Sequence, residues 1–252
     1  MDVKEITTTV SGMRHPWELA RLNLIKKLLY PSLMGIDAPR LLDIGCGDGF
    51  LISELASDLD RCKAFAVDTE LSDQTINKLS LNNNDIVFAR EINQCKKHWA
   101  DALLLLDVIE HQKDDLIFLQ LLTEQYVKRF GIVLITVPAY NQLFSEHDQF
   151  LGHYRRYART ELLSLVEASG LVTLKSGYAF SSLLAPRLVT KTFERLFKSR
   201  TRPNHLGEWR HGEGFTEFVS GVLQIDNWVL TTLSKADLHL PGLTTWAICK
   251  IR

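Results

Sequence analysis

The chain has 252 residues, of which 46% are hydrophobic, and its formal net charge is −1. This length and composition suit one domain with a large core. Because the net charge is close to zero, no global positive field exists to hold phosphates. Nucleic acid is therefore not an expected partner.

The cysteines are scattered along the chain, at Cys46, Cys62, Cys95 and Cys249. They form no C-x-x-C pair and have no histidine at zinc spacing, so we predict reduced thiols, a cytoplasmic protein and no metal site. The start of the chain lacks the apolar core of a secretory signal, and no apolar run approaches the length that spans a bilayer. Any membrane contact is expected to be peripheral.

Apolar residues with helical spacing follow the His-Pro-Trp sequence at positions 15–17. They predict a helix that runs to about Tyr30 and ends before Pro31. A short apolar strand, Arg40 to Ile44, comes next and has the composition of a buried parallel strand.

A glycine-rich turn, Gly45-Cys46-Gly47-Asp48-Gly49, follows this strand and leads into a new helix. Glycines permit a sharp turn and a close approach of the backbone to a ligand, and the helix start directs free N–H groups towards it. Phe50 occupies the position of the third glycine in the dinucleotide fingerprint. This departure argues against NAD or FAD.

A second strand, Lys63 to Val67, ends at Asp68, which lies 21 residues after Gly47. A carboxylate at this distance is placed to bond a ribose. The sequence from Leu41 to Phe50, with Asp43 inside it, resembles motif I of the class I S-adenosylmethionine (SAM) methyltransferases. Asp68 resembles their ribose-binding acidic residue. The alternative interpretation is an ordinary strand-to-helix turn.

A later strand, Ala102 to Leu106, ends in Asp107-Val108-Ile109-Glu110-His111, which resembles the Asp-Val-Leu-Glu-His motif of the same family. Ligands of open parallel sheets lie beyond the carboxyl ends of the strands. Asp107 is therefore expected to line the crevice and Val108 to flank the adenine, while Glu110 and His111 can instead cap and orient the turn. The resemblance implies SAM as the cofactor, bound by Asp43, Gly45, Cys46, Gly47, Gly49, Asp68, Asp107 and Val108.

The resemblance also implies that the N-terminal helix, residues 14–31, closes over the cofactor. Trp17 at its start has two interpretations. Its indole can anchor the helix end in the core, or it can attract the SAM sulfonium through a cation–π contact.

A predicted helix from Asp114 to Phe130, closed by Gly131, precedes a fifth strand from Ile132 to Val137. The repeated alternation of strands and helices predicts a doubly wound parallel α/β sheet with right-handed crossovers. The resemblance implies a Rossmann-like, mostly parallel sheet of seven strands whose last two pair antiparallel. We expect one methyltransferase domain over residues 1–252, with a helical insertion at 179–240 before the last strand.

The stretch from Pro138 to Tyr157 leaves the carboxyl end of the fifth strand and has no clear period, which is typical of a functional loop. His147 and His153 are the predicted general bases for a hydroxyl acceptor. The adjacent arginines of this stretch, Arg155 and Arg156, can clamp a phosphate or carboxylate of the acceptor, or one can pair with Glu146 or Asp148. The predicted substrate-binding residues are Tyr140, Tyr154, Arg155 and Arg156.

The insertion begins with a basic amphipathic segment at residues 183–202. Between 187 and 202 it holds six basic residues and one acidic residue, a net charge of +5. Such a segment can lie on an anionic membrane or accept an acidic substrate. The alternative is a helix packed on its own domain with a solvated basic edge. A second helix, Phe215 to Leu233, is apolar enough to be buried or to form a homodimer interface.

The loop sequence Ser-Glu-His-Asp, followed by Leu-Gly-His-Tyr-Arg-Arg-Tyr, resembles a bacterial subgroup of class I methyltransferases related to the quinone-biosynthesis branch. The predicted function is SAM-dependent methyl transfer, at oxygen, to an unidentified small-molecule or lipid-linked acceptor. Such an in-line displacement requires mainly alignment and a dry site. The alternative is a SAM-binding regulatory or scaffold protein without turnover, which docks on a partner or a membrane.

Overall fold

A computed structural model describes residues 14–197, 209 and 211–252, and every structural statement concerns these residues. Its seven strands form one sheet in the order β3-β2-β1-β4-β5-β7-β6. The strands are β1 (Arg40–Ile44), β2 (Lys63–Val67), β3 (Ile86–Ala89), β4 (Ala100–Leu106), β5 (Val127–Pro138), β6 (Val172–Ala179) and β7 (Thr244–Lys250).

The pairing of the strands confirms the predicted fold class. Strands β1 to β5 pair in parallel, whereas β7 runs antiparallel to both β5 and β6. One helix precedes β1, the others lie between strands in sequence, and two of these form the insertion before β7. They are α1 (Pro16–Leu33), α2 (Phe50–Ser57), α3 (Asp73–Asn82), α4 (Asp115–Tyr126), α5 (Glu146–Leu151), α6 (Arg159–Ala168), α7 (Leu184–Phe197) and α8 (Glu213–Ser234).

Successive residues of a strand point to opposite faces of the sheet. Both faces of this sheet are covered by helices, so neighbouring strand residues are buried in different layers. Leu41 belongs to a core layer that also contains residues of α1, α2 and α8. Its neighbour Leu42 belongs to a second layer with Leu119 of α4 and Leu162 of α6. The apolar strands thus hold the sheet between two helical layers, and their carboxyl ends meet at one edge.

Two helix ends differ from the sequence prediction. Helix α4 ends at Tyr126 and Val127 begins β5, opposite Ala100. The predicted continuation of the helix to Phe130 is therefore wrong, and a strand pairing forms there instead. Helix α1 continues past Pro31 to Leu33, which is buried at 3% exposure. Burial of this last turn offsets the hydrogen bond that proline cannot donate.

The basic helix α7 lies against the predicted functional loop. Arg187 donates a hydrogen bond from Nη2 to the Ser145 hydroxyl at 2.6 Å, and Lys191 donates from Nζ to the carbonyl of Phe144 at 2.9 Å. These contacts favour the packed-helix interpretation for this part of the segment. Three further basic residues of the predicted amphipathic segment, Lys198, Arg200 and Arg202, lie outside the described residues. Membrane contact and a homodimer stay predictions.

No helix within the described ranges is long and apolar enough to cross a bilayer.

Candidate active site

The glycine turn has a backbone that other residues would strain. Gly45, Gly47 and Gly49 have φ angles of 75°, 58° and 76°, in the left-handed region. A Cβ added at Gly45 would lie 2.7 Å from Cγ2 of Val108, and one at Gly49 would lie 2.8 Å from Cε1 of Phe88. Conformation and space therefore both require glycine at these two positions.

The carboxylate of Asp68 lies at the glycine turn, as the sequence predicts. Its Oδ2 accepts a hydrogen bond of 2.8 Å from the backbone N–H of Gly47, and its Oδ1 accepts one of 2.9 Å from Glu70. The backbone N–H groups of Gly45 and Cys46 donate to the carbonyl of Val67, directly before Asp68. Two backbone donors thus orient a half-buried carboxylate that still has lone pairs for further donors.

Asp107 lies at the carboxyl end of β4 in an unusual conformation, with a φ of 59°. Such strain in a residue other than glycine is often found at functional sites. Arg21 of α1, only 3% exposed, places Nη2 2.8 Å from Asp107 Oδ2, and the Thr136 hydroxyl donates to Oδ1 at 3.1 Å. Burial opposes ionisation of Asp107, but the positive charge of Arg21 lowers its pKa below the ordinary value.

Sequence reasoning missed Arg21. The residue lies four positions after Trp17 and four before Ile25, on the helix face that packs inward, and this spacing is the signal that could have identified it. A charged residue on such a face needs a partner, and Asp107 provides one.

The start of α1 lies over the glycine turn. Arg14 forms an ion pair with Asp48, and its guanidinium lies 4.1 Å from the centre of the Phe50 ring. A small cavity separates α1 from the turn, between Arg21 and Cys46. The ring of Trp17 lies 5.1 Å from the Arg21 guanidinium, so its indole already contacts a cation of the protein.

Asp43, in the middle of β1, is a buried carboxyl group at 2% exposure. Burial raises its pKa to about 7, the nearby charge of Arg21 lowers it, and that of Asp68 raises it. Because it is buried within β1, Asp43 lies beneath the turn rather than on the surface of the crevice. Cys46 is buried beside it, and burial also raises the pKa of the Cys46 thiol.

The loop between β5 and α6 is organised around Asp148, which has 0% exposure. Its carboxylate accepts hydrogen bonds from the backbone and hydroxyl of Ser145, from Nε and Nη2 of Arg156, and from Nδ1 of His153 at 3.0 Å. Burial opposes ionisation, but these donors and the Arg156 charge hold the pKa of Asp148 well below its ordinary value. Sequence reasoning considered Asp148 only as a possible ion-pair partner.

The two adjacent arginines of this loop have separate partners within the protein. Arg156 is buried and pairs with Asp148 at 2.7 Å. Arg155 pairs with Asp115 at 2.7 Å and donates to the carbonyl of Lys113. Both therefore hold loop segments together. Arg156 has one of the two partners considered in the sequence analysis, Asp148, whereas the partner of Arg155, Asp115, was not considered.

The predicted base candidates lie in different surroundings. His153 is held against Asp148, and its ring lies 4.5 Å from the ring of His111 in an edge-to-face arrangement. His147 lies on α5, six residues earlier in the sequence, and is partly buried. The two histidines thus have different local environments.

The tyrosines also separate. Tyr140, with a φ of 60°, stacks on Tyr178 at a ring distance of 5.2 Å. Burial raises the pKa of the Tyr140 hydroxyl, and its hydrogen bond with Tyr178 raises it further. Tyr154 is 57% exposed, and its backbone N–H donates to the carbonyl of Glu110 at 2.8 Å. Tyr178, which sequence reasoning missed, thus shares the loop surface with Tyr140.

Glu110 is the least expected member of the site because it has 0% exposure. Burial raises the pKa of its carboxyl group well above the ordinary value, and the negative charge of Asp107 raises it further. Within the described residues, neither carboxylate oxygen has a hydrogen-bond partner.

The strand-edge crevice and the fold together define a methyltransferase domain. A family model described as "Methyltransferase domain" matches residues 17–176. This match covers more than half of the chain, which therefore belongs to this family. Its architecture is the Rossmann-like fold of SAM-dependent methyltransferases.

Named relatives share parts of this chain. N-methyltransferase 4 of Papaver somniferum is 28% identical over an alignment of 152 residues, and the match covers 57% of this chain and 40% of that protein. The chain thus spans less than half the length of this curated relative.

Solved structures confirm the fold. Geranyl diphosphate C-methyltransferase from Streptomyces coelicolor A3(2), in complex with Mg²⁺, geranyl diphosphate and S-adenosyl-L-homocysteine, has a TM-score of 0.56 and 13% identity, covering 93% of this chain and 79% of that chain. Coclaurine N-methyltransferase, bound to N-methylheliamine and S-adenosyl-L-homocysteine, has a TM-score of 0.54 and 16% identity, covering 92% and 70%. The relationship to the bacterial quinone-biosynthesis branch stays a prediction.

The raised pKa of Asp43 predicts an opposite pH dependence from that of a typical ion-paired carboxylate. Its folded pKa of about 7 exceeds the ordinary value of 3.8, so the folded state binds more protons between these values. Its contribution to stability therefore falls as the pH rises from about 4 to about 7, by up to about 1.4 kcal/mol per pH unit.

The Asp43→Asn variant has no such proton to lose. Its free energy of unfolding, minus that of the wild type, should increase with pH across this range in guanidinium titrations. A difference that stays constant between pH 4.5 and 8 would contradict the raised pKa.

Proposed function

We propose that this chain binds SAM and transfers its methyl group to a nitrogen or oxygen atom of a small-molecule acceptor. The main support is the contact between the Gly47 backbone and the Asp68 carboxylate at the carboxyl edge of the sheet. A turn without side chains beside an oriented carboxylate suits a nucleoside whose ribose hydroxyls need acceptors.

The residues of the crevice suit the remaining parts of the cofactor. Val108, packed against Gly45, offers an apolar surface for a purine. Asp107, whose ionised form Arg21 stabilises, borders the crevice at the next strand end. SAM supplies an activated methyl group, so the protein must align the acceptor and exclude water. Helix α1, which lies over the glycine turn, is in position to exclude water.

One observation bears on the acceptor atom. The relative from Papaver somniferum is named as an N-methyltransferase, which favours an amine. The oxygen acceptor of the sequence analysis stays a prediction, and so does the assignment of His147 or His153 as its general base. An amine that is already neutral has a free lone pair and needs no base, only alignment.

Two stacked tyrosines, Tyr140 of the loop and Tyr178 of β6, are candidate acceptor contacts. Tyr140 and Tyr178 stack beside the crevice and are both partly exposed. Arg155 and Arg156 are engaged with Asp115 and Asp148. We therefore assign acceptor binding to the tyrosine pair and loop ordering to the two arginines.

The Asp68→Asn variant tests the cofactor part of the proposal. Loss of the negative charge weakens hydrogen bonds to the ribose, and each such charged hydrogen bond contributes roughly 1.5 to 3 kcal/mol. The affinity for S-adenosylhomocysteine, measured by calorimetry, should fall at least about tenfold. The matched control is Asp60→Asn, because Asp60 is 91% exposed at the side chain and lies in the turn after α2.

Equal affinity of wild type and Asp68→Asn, with the fold intact by circular dichroism, would place the ribose elsewhere. Binding of NADH in place of S-adenosylhomocysteine would refute the SAM assignment itself.

Turnover is a separate test. The chain, incubated with SAM carrying a ¹³C methyl group and a small-molecule extract of its source cells, should release S-adenosylhomocysteine and form a labelled product. The ¹³C chemical shift of the new methyl group distinguishes attachment to nitrogen from attachment to oxygen. At limiting SAM, Asp68→Asn should form less product than Asp60→Asn.

Tight binding of S-adenosylhomocysteine without any labelled product would contradict the proposed transfer. It would favour the regulatory protein without turnover.

A further inference from the structure

We propose that Glu110, His111 and His153 form a binding site for a divalent transition metal ion such as Zn²⁺. One ligand atom from each of these side chains lies within 4.8 Å of the other two. Three atoms bound to one ion at about 2.1 Å lie at most about 4.2 Å apart. A small movement of the side chains therefore closes the set around an ion.

The ligands come from two segments that the backbone holds together. Glu110 and His111 belong to the short helical turn after β4, and His153 follows α5. The backbone N–H of Tyr154 donates to the carbonyl of Glu110 at 2.8 Å. This bond joins the two segments beside the ligand set, so their proximity does not depend on long side chains.

Glu110 is the observation that calls for a cation. The residue has 0% exposure, and its two carboxylate oxygens lack hydrogen-bond partners among the described residues. A buried ionised carboxylate without a partner is costly. Protonation removes the charge but leaves an O–H donor and a C=O acceptor still unsatisfied. A bound metal ion satisfies the group directly.

His153 has the orientation that metal-binding histidines usually have. Its Nδ1 bonds to Oδ1 of Asp148 at 3.0 Å. Because Arg156 and Ser145 donate hydrogen bonds to Asp148 and favour its ionised form, this carboxylate accepts a hydrogen bond from the Nδ1–H group of His153. The Nε2 lone pair then remains for a ligand. A carboxylate behind a histidine fixes the tautomer and raises the basicity of the ligating nitrogen.

The ligand types select the class of metal. Mg²⁺ and Ca²⁺ prefer oxygen ligands throughout. Two imidazoles and one carboxylate suit Zn²⁺, Co²⁺ or Fe²⁺, and this set recurs in sites with open coordination positions. An ion held by three protein groups keeps at least one position for water or an atom of a small molecule. The inference concerns metal binding and does not depend on the acceptor proposed above.

The test uses the whole chain, without a histidine tag, freed of metal by dialysis against a chelator. Titration with Co²⁺ followed by visible absorption, and with Zn²⁺ followed by calorimetry, should reveal one saturable site per chain. Removal of one ligand should weaken binding more than removal of a supporting residue, which typically costs 10- to 100-fold. Glu110→Gln is therefore expected to lower the Zn²⁺ affinity by at least about 100-fold, with loss of the Co²⁺ absorption band.

Glu110→Gln keeps the shape of the side chain and removes a buried charge, so the variant is expected to fold. The matched control is His98→Asn, because His98 is an exposed histidine before β4, at the opposite end of that strand. This variant should bind Zn²⁺ like the wild type.

Equal Zn²⁺ affinity in the wild type and Glu110→Gln would overturn the site, as would absence of saturable binding in the wild type. Saturation by Mg²⁺ at the same concentrations as Zn²⁺ would overturn the assignment to a transition metal. If the wild type shows no saturable binding, Glu110 is a buried neutral carboxyl group.

Discussion

The parallel pairing of β1 with β4 determines where every candidate site residue lies. Ile44 of β1 is opposite Leu105 of β4, so the glycine turn and the turn after Leu106 leave the sheet side by side. The carboxyl ends of β2 and β5 meet the same edge and bring Asp68 and the loop after Pro138 to it. Several chemically different segments thus share one crevice because parallel strands end together.

The same edge concentrates buried and half-buried carboxyl groups, and the protein stabilises them in different ways. Asp107 has a buried arginine from α1, and Asp148 has an arginine, a histidine and a serine from its own loop. Asp43 instead has a raised pKa. Glu110 also has a raised pKa, but neither of its carboxylate oxygens has a hydrogen-bond partner among the described residues. This contrast, rather than the number of acidic groups, singles out Glu110 as a ligand.

The edge also explains why a helix at the start of the chain is part of the site. Arg21 pairs with Asp107, and Arg14 pairs with Asp48. Arg21 is 3% exposed, so loss of Asp107 would leave a buried charge without its partner, whereas the Arg14–Asp48 pair is more exposed and contributes less. Helix α1 is therefore held over the crevice by charge as well as by apolar packing.

Sequence patterns predicted that the glycine turn, Asp68 and Asp107 each directly follow a strand. This was possible because each of these features is local. The glycines act through their own φ angles, and Asp68 follows its strand directly. The Arg21–Asp107 pair joins residues 86 positions apart, so only the packing of α1 on the sheet reveals it.

The two loop arginines show a second limit of prediction from sequence. Adjacent residues of an extended segment point in different directions, so Arg155 and Arg156 reach different carboxylates. The sequence alone left open whether they clamp a ligand or pair internally. Likewise, zinc spacing rules failed to indicate the cluster of Glu110, His111 and His153, because its third member comes from another loop.

We propose that the carboxyl edge between β1, β2 and β4 binds the nucleoside of SAM. The decisive experiment is a crystal structure of the chain with S-adenosylhomocysteine. We expect ribose hydroxyls at hydrogen-bond distance from the Asp68 carboxylate and a purine beside Val108. Electron density for S-adenosylhomocysteine at any other place, with Asp68 bonded only to Gly47 and Glu70, would contradict it.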